Sequence, residues 1–318
     1  MPSPSLLRTP SYRFKDVPDF PYTPQYVDVS EAVETSAHDE ITEALMSYVD
    51  TGSGEETFLC LHGVPTWSFL YRKMIPVLAD RGRVIAPDFI GFGRSDKLTR
   101  MDDYTFEMHH DALSSLIETL DLDNITLVCQ DWGGPVGLAT AMNHQDRFSR
   151  LIPMNTALPA GTIPMPEPFQ KWRSFVAENP DVPIGRTMEQ GLAIGSDRGY
   201  VTEFDDAELA AYEAPFPDVA YKAGAQKWPL MVPLPAEPGP AAEPIGAAAE
   251  AIQEWQKPAL VLFSDGDVIT APGQTQLREL IPNAESETVT DAGHFLQENK
   301  GEEVAERIID FVDRTPLD

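Results

Sequence analysis

The run Val128-Cys129-Gln130-Asp131-Trp132-Gly133-Gly134 constrains this chain more than any other. Ile125 to Cys129 is rich in apolar and β-branched residues, as a strand buried on both faces should be, and Pro135 to Met142 reads as the helix that follows. A sharp strand-to-helix turn that lifts one side chain above a sheet demands small residues two before and two after its tip. Cys129 and Gly133 meet that demand around Asp131. The tip of such a turn usually carries a hydroxyl. Here it carries a carboxylate, so Asp131 is expected to serve as a nucleophile of different chemistry.

Composition frames this reading. A chain of 318 residues with 42% hydrophobic content can bury a large core in one elaborated domain. Its two cysteines, Cys60 and Cys129, fall inside expected core strands, which predicts buried thiols in a reducing compartment rather than a disulfide. The N-terminal run MPSPSLLRTPSYRF lacks the sustained apolar centre of a signal peptide, and no later run has the length of a membrane span. The expectation is a soluble, cytoplasmic protein, with a monomer as the default. With 51 acidic against 23 basic residues, the net charge of −28 argues against nucleic-acid or anionic-membrane partners. A saline habitat and simple solubility account for that acidity equally well.

Short β-rich runs alternate with helical patterns along most of the chain. Strands are expected at 57–62, 84–88, 125–130, 151–155, 259–264 and 285–290, and helices at 68–81, 104–120, 135–143, 273–280 and 302–313. This alternation predicts an α/β fold with a mostly parallel central sheet and helices on both faces. The stretch from Leu158 to Pro233 breaks the pattern. It is rich in Pro, Trp and acidic residues, has helical stretches at 169–178 and 206–213, and offers no convincing strand. It reads as an inserted helical cap between two core parts, 1–157 and 234–318, entered on its far side through the Pro/Ala/Glu-rich connector 233–249.

Three further constellations bear on Asp131. His294 lies in Asp291-Ala292-Gly293-His294-Phe295, in a loop after the last expected strand, and the order nucleophile, acid, histidine is that of α/β-hydrolases. Phe263-Ser264-Asp265-Gly266-Asp267 offers two acids to orient that histidine; Asp267, about three residues past the strand end, is preferred, with Asp265 left as a turn former. The other common place for this acid holds Asn155-Thr156-Ala157, with no carboxylate. Finally, His62-Gly63-Val64 follows the first core strand, where a backbone N–H completes an oxyanion hole. The expected donors are the N–H groups of Val64 and Trp132, and His62 reads as a structural turn residue.

Taken with the runs PTWSFLYRK, APDFIGFGRSDK, NITLVCQDWGG, AYEAPFPDVAYKAGAQKWP and DAGHFLQE, the chain resembles a haloalkane dehalogenase over nearly its whole length. The resemblance is greatest to the branch whose cap supplies a second halide-binding tryptophan. It implies the α/β-hydrolase fold, Asp131 as nucleophile, His294 as base, Asp267 as its partner, and Trp132 and Trp172 as halide ligands. Residue chemistry agrees with the first of these ligands, since an indole N–H is a donor with no competing acceptor and Trp132 adjoins the carboxylate. Phe169 and Trp228 are expected to line the apolar substrate pocket, Trp228 being also the nearest rival to Trp172. The implied substrate is a small apolar haloalkane, giving a primary alcohol, halide and a proton; no metal or organic cofactor is implied. One position departs from the branch, which often has glutamate after His-Gly where this chain has Val64, and the sister branch's asparagine ligand is absent there too.

Two rival functions share the fold. An epoxide hydrolase would use the same Asp/His/Asp set with phenols from the cap, for which Tyr200, Tyr212 and Tyr221 are available. A non-catalytic ligand-binding member would have no need of all three catalytic groups. His109-His110 lacks the i, i+4 spacing of a helical metal pair, and Gly91-Phe92-Gly93-Arg94-Ser95 lacks the lysine and spacing of a phosphate loop.

Overall fold

The computed structural model describes residues 6–34, 41–193, 197 and 200–317. Among the described residues eight strands form one sheet: β1 (Gln25–Asp28), β2 (Leu45–Thr51), β3 (Thr57–Leu61), β4 (Arg83–Pro87), β5 (Ile125–Gln130), β6 (Phe148–Met154), β7 (Leu260–Ser264) and β8 (Glu285–Val289). Their spatial order is β8-β7-β6-β5-β3-β4-β2-β1. Strand β2 runs antiparallel to both β1 and β4, and the remaining pairs are parallel. In β3, β5 and β7 every residue is buried, as parallel strands covered on both faces require. A separate two-stranded ladder joins Leu6–Leu7 to Lys97–Leu98.

The helices are α1 (Ser30–Glu34), α2 (Ile75–Ala79), α3 (Phe106–Thr119), α4 (Gly133–Asn143), α5 (Glu167–Glu178), α6 (Ile184–Glu189), α7 (Asp206–Glu213), α8 (Ala223–Met231), α9 (Ala242–Ala251), α10 (Pro272–Leu280) and α11 (Leu296–Arg314). Two groups, α3-α4-α9 and α2-α11, pack separately against the sheet. Between β6 and α9 the described chain is helical in α5 to α8 and contributes no strand to the sheet. The cap expectation for residues 194–196, 198 and 199 lies outside the described residues.

The six expected strands are all present, but β1 and β2 were not anticipated. β1 is short and buries only Val27, so its alternation is too brief to stand out. The helix expected at 68–81 is divided into a 3₁₀ turn, Ser68–Tyr71, and α2, because Pro76 favours the first turn of a helix over its interior. The helix expected to begin at 302 begins at Leu296 and breaks at Lys300, whose φ is −140°. Cys60 and Cys129 are buried and free, and burial raises both thiols above their ordinary range. No helix among the described residues is long and apolar enough to cross a membrane.

A buried charge cluster fastens the α5–α8 segment to the core. Arg72, between the 3₁₀ turn and α2, pairs with Glu298 of α11 and with Glu208 of α7. The Tyr212 hydroxyl of α7 donates to the same Glu298 carboxylate. Trp67 Nε1 donates to the Ala211 carbonyl at 3.2 Å, and Thr9 Oγ1 to the Pro215 carbonyl at 2.7 Å.

Candidate active site

Four loops converge at the C-terminal ends of parallel strands, where open α/β sheets bind their ligands. The loop after β3 brings His62 to Val64, that after β5 brings Asp131, that after β7 brings Asp267, and that after β8 brings His294.

Asp131 stands at φ 50°, in the left-handed region that side chains other than glycine rarely adopt. Its surroundings hold it there. Asp131 N donates to the Asn155 carbonyl at 3.1 Å, and the Asp131 carbonyl accepts from Gly134 N at 2.9 Å and from Thr156 Oγ1 at 2.6 Å. The close approach of the next turn explains two glycines. A Cβ at Gly133 would lie 2.3 Å from the Leu61 carbonyl oxygen, and one at Gly63 would lie 2.1 Å from Asp131 Oδ1. With no side chain at Gly63, the Val64 N–H reaches Asp131 Oδ1 at 2.8 Å.

His294 lies between two carboxylates. Its Nε2 is 3.4 Å from Asp131 Oδ2 and its Nδ1 is 3.1 Å from Asp267 Oδ1. Burial alone would lower the imidazole pKa, but the charge of Asp267 and the hydrogen bonds to Asp131 and Asp267 outweigh it and push it up to about 9. Asp267 is buried, which opposes its charge, yet His294, the Thr270 hydroxyl and the Ile269 N–H together hold it below the ordinary carboxylate range. Asp265 does not reach the ring; its Oδ1 lies 3.5 Å from Ala292 N, in the turn. His62 is buried, with Nδ1 2.9 Å from the Gly63 carbonyl and Nε2 accepting from Phe89 N at 3.0 Å, so both nitrogens brace the turn.

Asp131 opens onto a cavity whose apolar lining includes Val64, Met165, Phe169, Leu192, Val232 and Ile269. Its other polar contributors are Thr270 and the two indoles, Trp132 and Trp172. Trp172 is 1% exposed and its Nε1 has no hydrogen-bond partner among the described residues. A buried N–H without a partner is costly, and an anionic guest in the cavity that Trp172 lines would satisfy it.

Trp228 departs from expectation. It is absent from the cavity lining, packs behind Trp132 with ring centroids 5.7 Å apart, and gives its N–H to His109 Nε2 at 2.6 Å. An indole whose donor is already used inside the core has none to offer a halide. The three tyrosines available to a phenol-assisted hydrolase also stay clear of the cavity: Tyr212 spends its hydroxyl on Glu298, Tyr200 packs against Gly293, and neither they nor Tyr221 line it.

Several contributors to the site were not anticipated, among them Asn155, Gln130 and Leu192. Asn155 Nδ2 lies within 3.0 Å of Ser264 Oγ and the carbonyls of Gly293 and His294, tying β6, β7 and the histidine loop together. Gln130 places its amide against the His294 ring. Leu192 enters the cavity from a backbone at φ 63°. The asparagine was visible at the strand end where an acid was sought; the other two left no sequence signal.

Comparison with known proteins shows the family and the fold. Residues 56–301 match the family model for the alpha/beta hydrolase fold. The chain is 42% identical to a haloalkane dehalogenase of Psychrobacter cryohalolentis, covering 98% of this chain and 99% of that one. It is 41% identical to haloalkane dehalogenase 1 of Mycobacterium tuberculosis, covering 98% and 99%. Among solved structures, a haloalkane dehalogenase of Paraglaciecola agarilytica, described as tetrameric, superposes with TM-score 0.81 at 41% identity, covering 95% of this chain and 97% of the other. Another, from Agrobacterium tumefaciens, superposes with TM-score 0.76 at 25% identity, covering 96% and 100%. Near-complete coverage in sequence and structure, together with an aspartate-tipped elbow facing an apolar cavity, makes this chain a member of the haloalkane dehalogenases of the α/β-hydrolase fold.

Proposed function

We propose that the chain hydrolyses small apolar haloalkanes in two steps at Asp131, beneath a cap formed by residues 158–233 that joins core parts 1–157 and 234–318. The observation that carries this reading is a carboxylate and an unpaired buried indole N–H, that of Trp172, lining the same apolar cavity. In the first step an Asp131 oxygen attacks the halogen-bearing carbon in line and the carbon–halogen bond breaks. The leaving halide takes the bonding pair and is received by the N–H groups of Trp132 and Trp172. In the second, His294 Nε2 takes a proton from water, whose oxygen bonds to Asp131 Cγ while the Val64 and Trp132 backbone N–H groups hold the oxyanion. Collapse releases the alcohol and restores the carboxylate; Asp267 stabilises the imidazolium.

The cavity suits neutral, apolar substrates, since apart from Asp131, Thr270 and the two indoles its lining offers little to hydrogen-bond. The decisive experiment is halide release from a panel of bromo- and chloroalkanes, with an aryl epoxide as control and Asp131→Asn as blank. Halide release that vanishes in the variant supports the proposal. Epoxide opening without halide release would shift the assignment to a phenol-assisted hydrolase, and silence on both substrates to a binding protein. The default of a monomer stands against a relative described as tetrameric; light scattering on the purified protein distinguishes the two.

A further inference from the structure

Gln130, the last residue of β5, is fully buried, and its carboxamide faces His294. Nε2 of Gln130 donates to the His294 backbone carbonyl at 3.1 Å and stands 3.1 Å from the ring Nε2. The amide oxygen is buried with no partner among the described residues. Turning the amide over would set that oxygen against the His294 carbonyl, acceptor against acceptor, so the backbone fixes which end faces the ring. Loop anchoring alone does not explain the arrangement, because Asn155 already donates to the same carbonyl at 3.0 Å. An apolar residue would fill the space without stranding an oxygen.

The charged groups that face the imidazole are Asp267, from the turn after β7, and Asp131, from the turn after β5. Phe295 packs against the ring, and Tyr200 of the cap packs on the adjacent Gly293. Asp267 accepts from Nδ1, so the proton that comes and goes is on Nε2. There two neighbours oppose each other. The Asp131 carboxylate favours Nε2–H, whereas the Gln130 N–H can hydrogen-bond only to a bare nitrogen.

We propose that Gln130 is a positioning residue that makes His294 a base in step with ester formation, an inference resting on the two-step reading above. When the Asp131 oxygen bonds to carbon and halide departs with the electron pair, the carboxylate loses its charge. The attraction that kept Nε2 protonated disappears while the amide donor remains. The imidazolium then gives its proton to bulk water, leaving a bare nitrogen. Water next yields a proton to that nitrogen as its oxygen bonds to Cγ, and the amide keeps its bond to the carbonyl. Hydrolysis thus returns His294 to the imidazolium, and the proton of each turnover leaves with the halide burst rather than with the alcohol.

The test reads His294 without turnover. In Asp131→Asn, which lacks the carboxylate charge as the ester does, the imidazole is titrated by NMR with and without Gln130→Met. Loss of the amide donor is expected to raise the imidazole pKa by about one unit, tenfold in proton affinity. In the otherwise unaltered enzyme, Gln130→Met should leave the halide burst unchanged. It should slow ester hydrolysis about tenfold on the acid side of its pH profile and move that limb upward by a similar amount. Gln130→Glu, of the same length but an acceptor, should move it further. An unmoved NMR titration, or burst and hydrolysis slowed alike with the acid limb in place, overturns the role of Gln130. Absence of any alkyl ester on Asp131 overturns the two-step reading beneath it.

Discussion

Replacing Trp172 with phenylalanine isolates the contribution of one N–H. In the halide-free protein the removed donor gives up no hydrogen bond, because Nε1 has no partner among the described residues. What is lost is ring volume and part of the stacking on Phe175, whose ring centroid is 6.2 Å away. That packing loss is the same with halide present or absent, so it cancels when the two conditions are compared. A hydrogen bond to an ion in a water-poor site contributes about 1.5–3 kcal/mol, which is roughly ten- to a hundredfold in bromide affinity. At a bromide concentration about 100 times the unaltered protein's Kd, binding stabilises the fold by about 2.7 kcal/mol. A roughly thirtyfold weaker variant at the same concentration gains only about 0.9 kcal/mol. Quenching of indole fluorescence by bromide gives the affinity, and thermal unfolding with and without bromide gives the linked stabilisation. Bromide affinity within about twofold of the unaltered protein, or equal bromide-induced stabilisation in both, would refute the assignment.

Three other perturbations follow from the geometry. His294→Phe removes the base of the second step only, so haloalkane should leave a stable alkyl adduct on Asp131; an unmodified intact mass in a folded variant sinks the two-step scheme. Gly63→Ala sets a methyl 2.1 Å from Asp131 Oδ1 and displaces the carboxylate from the Val64 N–H. Halide release should fall by at least about two orders of magnitude, the scale of losing one well-placed donor, while circular dichroism stays native. Near-normal turnover would show that the turn yields. The third concerns pH. His294 is raised from its ordinary value to about 9 when folded. Its stabilisation is therefore complete below about pH 6.5 and lost as pH rises through 9, with a ceiling of about 3 kcal/mol. Buried Lys97, bonded to the carbonyls of Gly93 and Ser95 and pushed down to about 7 by burial, works in the opposite sense. The measurement is accordingly the difference in unfolding free energy between the unaltered protein and His294→Phe across pH 6.5 to 9. That difference should narrow as pH rises; a constant one contradicts the carboxylate-bound imidazolium.

The elbow was legible because its constraints are local. A small residue two positions either side of Asp131, a buried strand before it and a helix after it fix one side chain above the sheet whatever the rest of the chain does. The alternation of strands and helices gave the sheet and the turns that hold Asp267 and His294. Long-range packing was not legible. Nothing near Trp228 in sequence signals that its indole meets His109, 119 residues away, and a cap tryptophan that fills the core looks the same as one that faces a ligand. Gln130 was hidden for a similar reason. Within the elbow motif it reads as the end of a buried strand, and only the fold brings the loop after β8 across its amide. Strand β1 escaped because four residues with one buried position show too short an alternation, and β2 because its consecutive buried residues, Met46 to Val49, include Ser47 and so show neither alternation nor a continuous apolar run.

The charge cluster at Arg72 bears on how molecules enter and leave. Lifting α7 would take Glu208 from Arg72 and the Tyr212 hydroxyl from Glu298, leaving buried ionic groups short of partners. With a cost on the order of 3 kcal/mol, the lifted form holds less than about 1% of the population. Any exchange that needs α7 lifted is therefore slowed at least about a hundredfold relative to one that does not.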